Sequence, residues 1–88
     1  MIRISQIENC RYKNVCLNIS DYTELLKKFW QKFDPFTERE NLRRGLYSKI
    51  GFINIFVAKE AEPGYMYLSD GDILSSKEFP LNNRVKLE

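Results

Sequence analysis

Residues 21–33 read DYTELLKKFWQKF, and the fold turns on this segment. Tyr22, Leu25, Leu26, Phe29, Trp30 and Phe33 fall at i, i+3, i+4, i+7, i+8 and i+11, filling every slot of an amphipathic helix. Lys27, Lys28, Gln31 and Lys32 take the opposite side. Asp21 with Glu24 three residues on has the form of a capping box, Ser20 being the other candidate N-cap. The helix ends at Asp34-Pro35, because the residue before a proline is pushed out of the α region. So continuous an apolar stripe has to be buried, and the segments on either side supply a sheet to bury it on. Phe29, Trp30 and Phe33 are expected at the centre of that core.

Upstream, Ile2, Ile4 and Ile7 read as a short opening strand and Glu8-Asn9-Cys10 as a turn. Tyr12 to Ile19 then alternates, with Val15, Leu17 and Ile19 facing one way and Asn14, Cys16 and Asn18 the other, the period of a half-buried strand. Downstream, Thr37 and Glu40 repeat the capping-box spacing and predict a short helix over Glu38–Arg44, with Leu42 and Leu46 inward and Gly45 as C-terminal cap. Phe52, Ile53, Ile55, Phe56 and Val57 form a run typical of a strand buried on both faces. Pro63-Gly64 suits a type II turn, Tyr65–Leu68 a strand, and Asp70-Gly71 a hairpin into a strand at Ile73-Leu74. Phe79-Pro80-Leu81 breaks the pattern, Asn82-Asn83 turns, and Arg84–Leu87 alternates as a final strand. The expected fold is α+β, with residues 1–88 as a single domain: a small, mostly antiparallel sheet, built from an N-terminal hairpin and a C-terminal meander, packed against one amphipathic helix and a short second helix.

Eighty-eight residues hold one core, burying about 60–65% of the unfolded surface, so no metal or disulfide staple is required. The start, Met1-Ile2-Arg3-Ile4-Ser5-Gln6, lacks the apolar region of a secretory signal. The longest apolar-leaning run, Gly51 to Ala58, is broken by Asn54 and falls far short of the ~20 residues of a membrane span. A cytoplasmic protein with no membrane partner is expected, with its two cysteines, Cys10 and Cys16, as free thiols.

The chain has no histidine, which removes the commonest general base and the usual nucleophile pairs. There is no glycine-rich phosphate loop, and zinc would have to be completed by carboxylates. Asp70 and Asp72 read as turn residues before they read as cation ligands. Ser48-Lys49 and Ser76-Lys77 are adjacent pairs, and neighbours in a strand point to opposite faces. No enzymatic activity, cofactor or metal is expected.

The functional lead is charge. Residues 1–50 carry ten Lys and Arg against six Asp and Glu, whereas residues 51–88 carry four against six. Favourable pairs such as Glu24→Lys28 and Glu40→Arg44 also belong to any solvated helix, so the basic set has a structural reading beside the functional one. The expected function is a small non-catalytic binding protein that docks on a macromolecule, protein being favoured over nucleic acid. Inhibitors or regulators of a larger host enzyme, a nucleic-acid-processing one included, are proteins of this kind, and phage-encoded inhibitors are one such class. The candidate contact residues are Arg39, Arg43, Arg44, Tyr47 and Lys49, with Tyr65 and Tyr67 on a later strand. Those two tyrosines form an exposed anchor pair if Met66 and Leu68 take the core side, and ordinary packing if both faces are covered. The alternative is a nucleic-acid-binding domain using Lys27, Lys28, Lys32, Phe36, Arg39, Arg43 and Arg44. The assembly is expected to be a monomer or a homodimer, with the Arg84–Leu87 edge available to pair across a two-fold axis.

Overall fold

In the computed structural model, which describes residues 4–88, the chain runs α1 (Ile4–Glu8), β1 (Asn14–Leu17), α2 (Ile19–Phe29), β2 (Asp34–Pro35), α3 (Arg39–Arg43), β3 (Leu46–Ile50), β4 (Ile53–Val57), β5 (Tyr65–Ser69) and β6 (Arg84–Lys86). Single 3₁₀ turns follow α2 at Trp30–Lys32 and precede β6 at Ser76–Glu78. The six strands form one sheet in the order β2-β3-β4-β1-β5-β6.

All four residues of β1 are buried, so this strand needs neighbours on both edges and cover on both faces. Both neighbours come from later in the chain. β4 lies parallel to it, from Asn14↔Asn54 to Leu17↔Val57, and β5 lies antiparallel. The sheet is therefore mixed, not mostly antiparallel. Among the described residues the expected N-terminal hairpin does not form: Ile4–Glu8 is a helical turn that buries Ile4 and Ile7, and the Ile2 end of the expected strand lies outside the described residues. Ile19, expected at the end of β1, instead opens α2.

Each face of the sheet has its own core. Val15, Leu17, Ile55, Met66 and Leu68 pack under α1 and α2 with Tyr22, Leu25 and Phe33. On the other face Cys16, Leu46, Phe56 and Tyr67 pack beneath Phe79 of the segment that joins β5 to β6. That segment holds the β5–β6 pair apart in sequence, so the strand expected at Ile73-Leu74 does not form. The reason lies in Asp70-Gly71: the Asp70 carboxylate accepts the Lys13 N–H at 2.9 Å and the Gly71 carbonyl accepts from Asn14 Nδ2 at 2.8 Å, tying the chain to β1 rather than folding it back.

The long helix departs from expectation at both ends. Its N-cap is Asn18, whose Oδ1 accepts the Ser20 N–H at 2.9 Å, while Asp21 turns aside to accept the Gly64 N–H at 2.8 Å. At the other end the helix tightens after Phe29 into the 3₁₀ turn, and three residues per turn shift the phase of the apolar stripe. Phe33 stays buried and Phe29 half-buried, but Trp30 swings out to 64% exposure and is not a core residue. The short helix α3 forms as expected and ends at Gly45, whose φ is +82°. Its N-cap is Glu38 with no side-chain cap, and Leu42 faces outward instead of inward. Gly51, at φ +59°, opens the two-residue loop between β3 and β4, a strand pair of which only the second member was legible.

Candidate docking groove

Strands β1 and β4 run parallel and finish side by side at Leu17 and Val57. Leu17 leads directly into Asn18, the cap of α2. The Val57 N–H donates to the carbonyl of Gly45, the residue that ends α3, at 2.8 Å. The Ser76 N–H donates to the Arg44 carbonyl at 2.7 Å. The first turn of α2, the last turn of α3, the Ala58–Glu60 stretch and the Ser76–Lys77 turn thus meet at one end of the sheet. The carboxyl end of parallel strands is also where open α/β sheets commonly carry their ligands.

A groove of about 430 Å³ opens there, with Ile19, Leu42 and Tyr47 as apolar walls and Arg43, Lys59 and Lys77 at its rim. Glu60 is the single carboxylate among the lining residues. A second hollow of about 270 Å³ shares Ala58, Glu60, Ser76 and Lys77 with it and continues to Phe79 and Leu81. Ile19, Leu42 and Leu81 are all exposed. Among the described residues, Arg43, Lys59 and Lys77 form no ion pair; the pairs present are Lys28–Glu24, Lys32–Glu8 and Arg84–Glu62. The positive end of the α2 dipole adds to the same field.

The fold divides the candidate residues expected from the sequence. Arg43 and Tyr47 line the groove. The Tyr47 ring is half-buried and meets Tyr22 edge-on at 5.6 Å, so its position is fixed. Arg39 is exposed one helical turn from Arg43, outside the lining. Arg44 lies outside the lining, and its Nε donates to the Leu74 carbonyl at 2.7 Å, strapping α3 to that segment. Lys49 is half-buried and lies toward the far end of β3, opposite Asp34 and Asn54. Tyr65 and Tyr67 are not an exposed pair, since the β5–β6 connection covers that face. Tyr67 is 3% exposed within the second core, its hydroxyl accepting the Glu62 N–H at 3.1 Å, and Tyr65 is half-buried under the Arg84 guanidinium at 4.1 Å.

The basic set of the nucleic-acid alternative is also split. α2 reverses the direction of β1, so Lys27, Lys28 and Lys32 sit at the opposite end of the sheet from Arg43. Lys28 pairs with Glu24 at 3.4 Å and Lys32 with Glu8 at 3.2 Å. Phe36 is half-buried against the second core. Ile19, Leu42, Lys59, Lys77 and Leu81 were not among the expected contact residues. Of these only Leu42 lay near the basic segment, and its spacing argued for the interior.

The cysteines are free thiols, Cys10 half-buried and Cys16 buried. Burial pushes the Cys16 thiol up to about 12, with the nearby Glu60 charge adding to the shift, so it is a neutral packing residue at ordinary pH. Ser48 is likewise internal, its Oγ 2.6 Å from the Tyr22 hydroxyl. The groove offers cations and aliphatic surface to a ligand. No family model, curated protein or solved structure matches this chain.

Proposed function

We propose that this chain is a non-catalytic binding protein that docks on a larger protein through the groove at the carboxyl ends of β1 and β4, as an inhibitor or regulator of that partner. The observation that carries the reading is the meeting of three unpaired cations, Arg43, Lys59 and Lys77, with exposed Ile19, Leu42 and Leu81 on one continuous concave surface. Such a surface fits an acidic segment carrying aliphatic anchors: apolar contact supplies affinity, and charge supplies approach rate and register. Among the described residues, no helix is long and apolar enough to cross a membrane. Two free thiols fit a cytoplasmic location.

A photo-reactive benzoylphenylalanine placed at Leu42 tests the reading in cells, against the same group at Gln31 on the exposed turn after α2. A discrete protein adduct from position 42 alone is the expected result. Equal adducts from both positions, or none from position 42, would remove the groove from consideration.

A further inference from the structure

The end of the sheet opposite the groove carries a second, chemically different surface. The Gly51-Phe52 tip of the β3–β4 hairpin leaves Phe52 95% exposed. A two-residue loop needs glycine at its first position for the positive φ, but nothing in the fold asks for an aromatic at the second. Beside the tip lies a hollow of about 340 Å³, lined by Tyr12 and Ile53 and rimmed by Arg11 and Lys13. Arg11-Tyr12-Lys13 thus places a cation, an aromatic and a cation in succession next to an open aromatic face. Glu8, the lone carboxylate among the residues lining the hollow, is paired with Lys32 at 3.2 Å, which leaves the free charge there positive. The same ion pair brings in the turn carrying Trp30, the other strongly exposed aromatic.

The backbone at Lys13 is held on both sides. The Lys13 N–H donates to Asp70 Oδ1 at 2.9 Å, and the Lys13 carbonyl accepts the Asn54 N–H at 2.7 Å. Lys13 therefore projects from a fixed backbone position, which lowers the ordering cost of binding there.

We propose that this end binds single-stranded nucleic acid, with Phe52 stacking on a base and Arg11 and Lys13 contacting the adjoining phosphates. Open aromatic faces interleaved with cations along a concave track are the recurring solution for sequence-tolerant single-strand binding. The surface touches the basic helical set only through Lys32, the ion-pair partner of Glu8, and it is independent of the groove. A lipid surface is a poorer fit, because the cations and Tyr12 lie around a hollow, whereas an interfacial anchor presents a continuous apolar face.

The test is fluorescence anisotropy of labelled dodecathymidylate and dodecauridylate with the full chain at 20 and 200 mM NaCl. Binding at low salt that weakens steeply with added salt is expected. Phe52→Ala should weaken it roughly tenfold, as loss of one stacked base does, with an unchanged melting temperature because the ring is exposed. Arg11→Ala with Lys13→Ala should flatten the salt dependence by about 1.4 in slope, as two single-strand phosphate contacts require. No binding at 20 mM, or binding that survives Phe52→Ala, overturns the proposal. So does Phe52-dependent sedimentation with phosphatidylserine vesicles in the absence of oligonucleotide binding, which assigns the surface to lipid.

Discussion

Tyr22 and Ser48 show how a single polar contact disciplines the core. Their hydroxyls meet at 2.6 Å between α2 and β3, in surroundings where an unpaired hydroxyl is penalised. Tyr22→Phe leaves Ser48 without its partner and is expected to cost about 1–3 kcal/mol in urea unfolding. Ser48→Ala should cost a similar amount, and the double variant distinctly less than the sum of the two, because removing both groups leaves nothing unsatisfied. Full additivity would show that the contact carries no coupling.

Cys16 makes a pH prediction. Its folded value of about 12 lies above the ordinary 9.0, so the fold favours the neutral thiol. That contribution is complete below pH 9 and is lost as pH rises towards 12. Burial raises Tyr22 above its ordinary 10.0 too, which adds loss of the same sign as pH rises past 10. The wild-type urea midpoint should fall between pH 8 and pH 10.5, and that of Cys16→Ala should fall less. Equal falls would place the alkaline weakness elsewhere. At this scale the sequence was a partial guide. Tyr22, Leu25 and Phe33 were legible as core, whereas Trp30 was not, because a helical template cannot register where the helix tightens.

Among the elements, the junction at Gly45 governs the groove. A Cβ there would strike the Ser76 side chain and come within 3.0 Å of the Val57 carbonyl, on a backbone already at φ +82°. Gly51 has φ +59° but open space around it. Gly51→Ala is therefore expected to cost about 1–2 kcal/mol from the left-handed backbone alone, and Gly45→Ala about 3 kcal/mol or more, by thermal unfolding. Similar losses would mean that the α3–β4–Ser76 junction yields easily.

The β6 edge is the other element with a testable property. Gln6 Nε2 donates to the Lys86 carbonyl at 2.8 Å, and its Oε1 accepts the Glu88 N–H at 3.0 Å. These are the bonds a neighbouring strand would make, so α1 occupies the edge on which a two-fold pairing was expected. The protein should sediment as a monomer at micromolar concentration, and Gln6→Ala should increase self-association. A wild-type dimer unaffected by Gln6→Ala would contradict this. Local pattern revealed β1, α2, α3, β4, β5 and β6 because each carries its own periodicity or turn chemistry. It could not reveal that β1 slots between β4 and β5, because a parallel pairing across some forty residues leaves no local signature.

For the whole molecule, the basic surplus of the first half turns out to be shared between two ends of one sheet. Arg43 joins Lys59 and Lys77 at the groove, while Arg11 and Lys13 flank Phe52 at the other end. Lys59 and Lys77 come from the acidic half of the chain, so only the fold assembles that cluster. This is why composition registered a basic surplus in the first half but not how the fold distributes it. The Tyr65 and Tyr67 alternatives stayed open in the sequence for a related reason, since whether a strand has one covered face or two is decided by a distant connection.

The most direct test of the groove is affinity capture from a nuclease-treated lysate of the native host, comparing the wild type, Leu42→Glu with Arg43→Glu, and Phe52→Ala. Both altered sites are exposed, so circular dichroism should report native folding in all three. The account predicts one stoichiometric protein held by the wild type and by Phe52→Ala, and lost from the groove variant. Undiminished capture by the groove variant, or recovery from the wild type only when nuclease is omitted, would contradict it.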